Sequence, residues 1–240
     1  MKLSIIIPVY NEEKTVGKVL DKICRQPLKW SREIIIINDG STDNTKNIIK
    51  SFLIKAEKEK YQVKVINFDK NYGKGKAVSS GIKKATGNYI LIQDADLEYD
   101  PADIPAILSA AGRVLENKNK YVSVAVYGSR LMKNPVNMPY LYIMGNKFLT
   151  GLTNFIFGTR LTDMETGYKL LPAGLIRKMP LISTRFDFEP EITARLIKAK
   201  IPIIEVPISY RGRTHLAGKK LTVRDSIGAL KCLIYFRFFT

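Results

Sequence analysis

Asn88–Pro101 reads NYILIQDADLEYDP, and the fold class turns on it. Asn88–Gln93 is a short, almost wholly apolar run, the pattern of a strand covered on both faces. Two aspartates, Asp94 and Asp96, stop it. In extended chain, residues i and i+2 point the same way, so both carboxylates face one cation from the strand's end. A hard divalent ion such as Mg²⁺ or Mn²⁺ takes a few carboxylate oxygens and completes its shell with phosphates and water. The same pattern also fits Asp96 or Asp100 capping the helix that follows Pro101.

Outward from this stretch, strand and helix signals alternate. Leu3–Val9 (LSIIIPV) and Glu33–Asn38 (EIIIIN) are buried-strand runs. Gln62–Asn67 (QVKVIN) alternates and reads as a strand nearer an edge. Tyr121–Tyr127 (YVSVAVY) is a fifth strand. Helical stripes lie between them: Val16, Val19, Leu20 and Ile23; Ile48, Ile49, Phe52 and Ala56; Ala77, Val78, Gly81, Ile82 and Ala85; Ile104, Ile107, Leu108, Ala111 and Leu115. This order predicts an α/β fold, a mostly parallel central sheet with helices on both faces. Such sheets bind ligands beyond the carboxyl ends of their strands. Tyr10-Asn11-Glu12, Asn38-Asp39-Gly40 and Asp94-Ala95-Asp96 all sit there. In the second half Leu141–Phe157 is apolar almost all round, Phe186–Lys200 reads as helical and Ile201–Tyr210 as extended. In Thr222–Phe239, Ile227, Leu230, Ile234 and Phe238 fall on one face.

Asp39, ending the second strand, can accept from a base N–H and fix nucleotide identity; turn chemistry with a cap at Ser41 or Thr42 explains the segment equally. Gly73-Lys74-Gly75-Lys76-Ala77 opens a helix, where glycines and lysines, Lys76 among them, favour a nucleotide's phosphates. The loop follows the third strand and has no third glycine, which argues against a dinucleotide fingerprint. Ala77 after Lys76 argues against a Walker loop. Asp163 and Glu165 form a polar knot, and Asp187, Glu189 and Glu191 surround a helix start; Asp163 and Glu189 are candidates for a base or an orienting group.

With 39 Lys and Arg against 22 Asp and Glu, the formal charge is +17. That field favours anionic partners: nucleotide phosphates, nucleic acid or an acidic lipid surface. The basic residues are dispersed and no nucleic-acid reader motif is present, so nucleic acid is not the expected partner. Cys24 and Cys232 read as small core residues of a reducing compartment. No signal-peptide pattern and no membrane span are expected.

The strings SIIIPVYNEE, NDGSTDNT, NYGKGKAVSSGIKKATGNYILIQDADLEYDP, YGSRL, TDMETGYKLL, FEPEI and EVPISYRGRTHLAGKKL occur in this order. Together they resemble family-2 inverting glycosyltransferases, in the branch of dolichol-phosphate mannose or glucose synthases and bacterial polyprenyl-phosphate glycosyltransferases. The resemblance implies a GT-A fold, metal-dependent hexosyl transfer from a UDP- or GDP-linked sugar, and a lipid-phosphate acceptor. It implies that Pro8, Tyr10, Glu12 and Asp39 hold the nucleoside, and that Asp94 and Asp96, with Glu98, hold the metal. It places Arg130, Arg213 and Lys220 at phosphates of the acceptor side. Asn38 stands where many relatives carry Asp, and Gly218-Lys219-Lys220 replaces a common Gly-x-Ser-Lys pattern. The expected arrangement is a catalytic domain over 1–212 and a basic amphipathic segment over 213–240 at an anionic membrane surface. A peripheral enzyme on the cytoplasmic face is expected. A soluble glycan or protein acceptor is the alternative within the same fold.

Overall fold

The computed structural model describes residues 1–116, 123–185, 187–213 and 223–239, with only the backbone for 223–227. Seven strands form one sheet: β1 (Lys2–Val9), β2 (Ser31–Asn38), β3 (Gln62–Asn67), β4 (Tyr89–Ile92), β5 (Ala125–Ser129), β6 (Lys169–Pro172) and β7 (Ile203–Pro207). Their order is β3-β2-β1-β4-β6-β5-β7. All neighbours run parallel except at β6, which is antiparallel to both β4 and β5.

Strand periodicity divides the core. Ile5, Ile7, Ile34 and Ile36 face one side, against α1 (Val16–Arg25), α2 (Thr45–Lys58) and α4 (Ile104–Glu116). Ile6, Ile35 and Ile37 face the other, against α3 (Lys74–Lys84), the short α6 (Ala173–Ile176) and α7 (Phe188–Lys198). Both faces are therefore covered, which is why β1 and β2 are continuous apolar runs. β3 alternates because it is the edge. The fifth strand begins at Ala125 rather than Tyr121, and residues 121 and 122 lie outside the described part. β6 has no counterpart in the sequence reading. Four residues, one of them lysine, are too few to show a period, and β6's pairing partners are remote in sequence.

α5 (Tyr140–Phe157) and α8 (Val223–Phe238) pack together, and α8 also packs on α7. Ala229, Cys232, Leu233 and Phe236 are buried there. The stripe expected on α8 lies elsewhere: Ile234 and Phe238 are exposed, so the inward face is one step around the helix.

Glu33 is buried at the start of β2 and accepts from Ser4 Oγ (2.6 Å), Thr86 N (2.6 Å) and Lys64 Nζ (3.1 Å). Burial pushes its pKa up, but these bonds outweigh burial and bring it down to about 2. A carboxylate with a depressed native pKa stabilises the fold above its ordinary value and loses that contribution as pH falls towards the native value. Glu33→Gln should cost about 1.5–3 kcal/mol at neutral pH. It should also flatten the acid limb of a stability-versus-pH curve measured by urea unfolding. A limb as steep as the parent's would rule this out.

Candidate functional site

β1 is hydrogen-bonded to β2 on one side and β4 on the other, so the chain reverses its direction of growth between β1 and β4. A crevice opens at the carboxyl ends of such a pair. Three strand ends are tied together around it. Asn11 takes a left-handed backbone after β1 (φ 52°), and its side-chain oxygen accepts from Thr42 N (2.8 Å) beyond β2. Glu12 N donates to Thr45 Oγ1 (2.8 Å). The Glu12 carboxylate meets Arg213 Nη2 at 2.7 Å, and the same nitrogen lies 3.1 Å from Asp96 Oδ2. Arg213 thereby joins the ends of β1 and β4.

Asp39 is buried at the end of β2 and accepts from Tyr72 N (2.8 Å) and Gly73 N (2.9 Å). It holds the loop that begins α3. Gly73 has φ 98°, and a Cβ there would sit 2.4 Å from the Thr184 carbonyl oxygen. The close approach that this glycine permits is therefore to the protein's own backbone.

The lysine that reaches the site is Lys74, not Lys76. Lys76 is exposed. The Lys74 ammonium lies 3.0 Å from Asp94 Oδ1 and 2.9 Å from Glu189 Oε1. Burial pushes its pKa down, but Asp94 and Glu189 outweigh that and hold it above the ordinary lysine value. The sequence held the signal. Positions 74, 77, 78 and 81 share a helix face, so the stripe of Ala77, Val78 and Gly81 extends back to Lys74, whereas Lys76 points away.

Glu98 departs from the expected metal set. Its two oxygens accept from Tyr210 Oη (2.6 Å) and Arg213 N (2.8 Å), so it orients the basic segment. Among the described residues no group of three His, Cys, Asp or Glu is placed to hold a metal ion. Pro8 and Tyr10 are half-buried at the end of β1, on the crevice side of Glu12 in sequence. Lys220 lies outside the described residues.

Arg130 and Asp163 form a buried pair. Arg130 Nε and Nη2 donate to Asp163 Oδ2 (2.8 Å) and Oδ1 (2.7 Å), and Arg130 N and Asn146 Nδ2 donate as well. Burial pushes the Asp163 pKa up, but Arg130 and these bonds outweigh it and hold it below the usual value. A fully buried carboxylate with four donors is a poor base, so Asp163 is an orienting group. Arg130 is correspondingly committed to Asp163 and stacks over Tyr210, with 5.3 Å to the ring centroid; this leaves less of it for an acceptor phosphate than expected. Glu191 binds Ile182 N, Ser183 N and Arg195, so its role is local. Glu189, by contrast, points at the site through Lys74.

Residues 4–178 match the model of Glycosyl transferase family 2, well over half of the chain. The chain belongs to that family. This glycosyltransferase is 31% identical to a dolichyl-phosphate beta-glucosyltransferase of Saccharomyces cerevisiae, over 98% of the chain and 74% of the relative. It is 26% identical to a dodecaprenyl-phosphate galacturonate synthase of Rhizobium johnstonii, over 99% of the chain and 68% of the relative. Among solved structures it resembles glucosyl-3-phosphoglycerate synthase of Mycobacterium tuberculosis, crystallised with Mn²⁺ and UDP, with TM-score 0.70 and 17% identity over 98% of this chain and 80% of that one. The fold is GT-A.

The site of this glycosyltransferase fits a hard divalent cation. Asp94 and Asp96 offer oxygen donors with side chains 19% and 21% exposed, at the crevice. Gly167 leaves room beside them: a Cβ there would sit 2.7 Å from Asp94 Oδ2 and 3.2 Å from Lys74 Nζ. Two carboxylates suit an ion that takes its other ligands from a diphosphate and water.

Proposed function

We propose that this enzyme moves a sugar from a nucleotide diphosphate onto a polyprenyl or dolichyl phosphate, with inversion at the anomeric carbon. The observation that carries this is the joining of Glu12, Asp39, Asp94 and Asp96 around one crevice, with Lys74 and Arg213 as the cations among them. Pro8, Tyr10, Glu12 and Asp39 form the nucleoside end. Mg²⁺ or Mn²⁺, held by Asp94 and Asp96, supplies positive charge to the departing diphosphate. Lys74 and Arg213 add fixed charge at the same place, and Glu189 and Glu98 keep them aimed there. The acceptor phosphate is already ionised at neutral pH, so alignment rather than proton removal dominates the barrier. That agrees with Asp163 serving to hold Arg130. Arg130, Arg213 and Lys220 form the basic side that the acceptor phosphate meets.

A membrane acceptor accounts for an apolar outer surface. On α5, Tyr140, Leu141, Phe148 and Phe155 are 66–87% exposed, and on α8 Tyr235 and Phe238 are exposed too. No helix among the described residues is long and apolar enough to cross a membrane. With a charge of +17, these faces suit peripheral attachment to an anionic surface, on the cytoplasmic side where nucleotide sugars are found.

The test is a panel of UDP- and GDP-sugars, with and without Mg²⁺ or Mn²⁺, against polyprenyl phosphate and soluble acceptors. Transfer to polyprenyl phosphate that needs the metal is expected. Turnover only on a soluble acceptor would replace this reading with the alternative one. In flotation, the protein should rise with anionic vesicles, and Phe148→Ser with Phe155→Ser should weaken binding by roughly tenfold or more.

A further inference from the structure

Behind Lys74 lies a cluster of buried charge that neither the metal nor the nucleotide uses. Glu189 stands at the start of α7, 4% exposed, with Oε1 on Lys74. Its other oxygen, Oε2, is buried with no hydrogen-bond partner. Glu165, in the loop before β6, also has one buried oxygen without a partner, Oε1. Among the described residues these two atoms alone are in that condition. Apart from burial, the Glu189 charge acts on Glu165 more strongly than any other, so the two carboxyls are close neighbours.

Two ionised carboxylates in this place would be costly, because each is only an acceptor and each repels the other. The neighbouring lysine does not relieve them. Lys169, fully buried on β6, donates to the Met164 carbonyl (2.7 Å) and lies 3.8 Å from the Tyr127 ring centroid. Its ammonium is on no carboxylate among the described residues within ion-pair distance, unlike Lys74. One proton resolves the arrangement: a protonated carboxyl donates to its ionised neighbour, and both orphan oxygens are satisfied at once.

We propose that Glu165 and Glu189 form a buried carboxyl–carboxylate pair sharing one proton between Glu165 Oε1 and Glu189 Oε2. The pair acts as a positioning device that holds the Lys74 ammonium at Asp94. The proton resides mainly on Glu165, since Glu189 is kept ionised by Lys74 at 2.9 Å. Burial and then Glu189 push the Glu165 pKa up to about 8, against the opposing pull of Lys169 and Arg130, with Asp163 adding to the rise. The charges around the pair are thus Lys74 on α3, Lys169 on β6, Arg130 after β5 and Asp163 in the same loop as Glu165. Each Glu189 oxygen then has a defined partner, and the carboxylate cannot swing away from Lys74. This consequence for turnover rests on the donor site proposed above; the shared proton does not.

Infrared difference spectroscopy of the whole protein tests the pair directly. At pH 7 the wild type should show a buried carboxylic-acid C=O band that fades with a midpoint near pH 8. Glu165→Gln should abolish the band while its amide donates to Glu189 in place of the acid. Its transfer rate should stay within about threefold of wild type at pH 7, with the alkaline limb of the pH–rate profile removed. Glu165→Ala, which leaves Glu189 Oε2 without a donor, should lose roughly tenfold or more. No acid band in the wild type at pH 7 overturns the proposal, and so does a band that survives in Glu165→Gln. The wild-type titration needs no variant to fold and no substrate, so failure of the pair is distinguishable from failure of the transfer reading.

Discussion

Replacing Asp96 with alanine should reduce transfer by at least ~10³-fold while leaving the fold in place. The loss follows from where the side chain stands. Asp96 is one of two carboxylates at the end of β4, and its Oδ2 shares Arg213 with Glu12. Removing it takes away a cation ligand and loosens the arginine that bridges two strand ends. The stability cost should be small, about 1 kcal/mol or less, because the side chain is 21% exposed and water can take its place around Arg213. Steady-state kcat/KM with the preferred donor, beside a thermal melt, measures both. Retention of activity within tenfold of the parent would mean that Asp96 is not where the diphosphate leaves.

The second large effect separates two lysines two residues apart. Lys74→Met should unfold at markedly lower urea, with a loss of about 3–5 kcal/mol, because Asp94 and Glu189 would be left facing each other without their shared cation. Where the protein remains folded, transfer should fall by at least ~10²-fold, since a fixed positive charge at the departing diphosphate is gone. Lys76→Met, on the exposed side of the same helix turn, should be close to wild type in both measurements. Equal effects at the two positions would show that Lys74 is not the site lysine.

Both expectations depend on an arrangement only partly visible along the chain. Asp94 and Asp96 could be placed because a buried strand ended at them and the strand period put them on one side. Glu12 and Asp39 followed from the same logic. Glu98 could not be judged that way. Spacing set it beside the aspartates, but its oxygens are taken by Tyr210 and Arg213, more than a hundred residues away. Asp163 looked like a free carboxylate in a polar knot; the knot is a buried ion pair whose other half, Arg130, comes from the end of a different strand. Glu165 and Lys169 were read as parts of a loop and a weak pattern, because nothing in the sequence says that α7 will bring Glu189 over them.

By itself the sequence determined the alternation of strands and helices, the sheet faces that must be buried, and the three strand ends that carry acid groups. These rest on periodicity and turn chemistry, which act over a few residues and can be read locally. The tertiary structure alone decided the insertion of antiparallel β6 between β4 and β5, the pairing of Arg213 with Glu12 and Asp96, and the choice of Lys74 as the partner of Glu189. Those depend on which groups long-range packing removes from water together. A buried charge must find its counter-charge wherever in the chain that happens to lie.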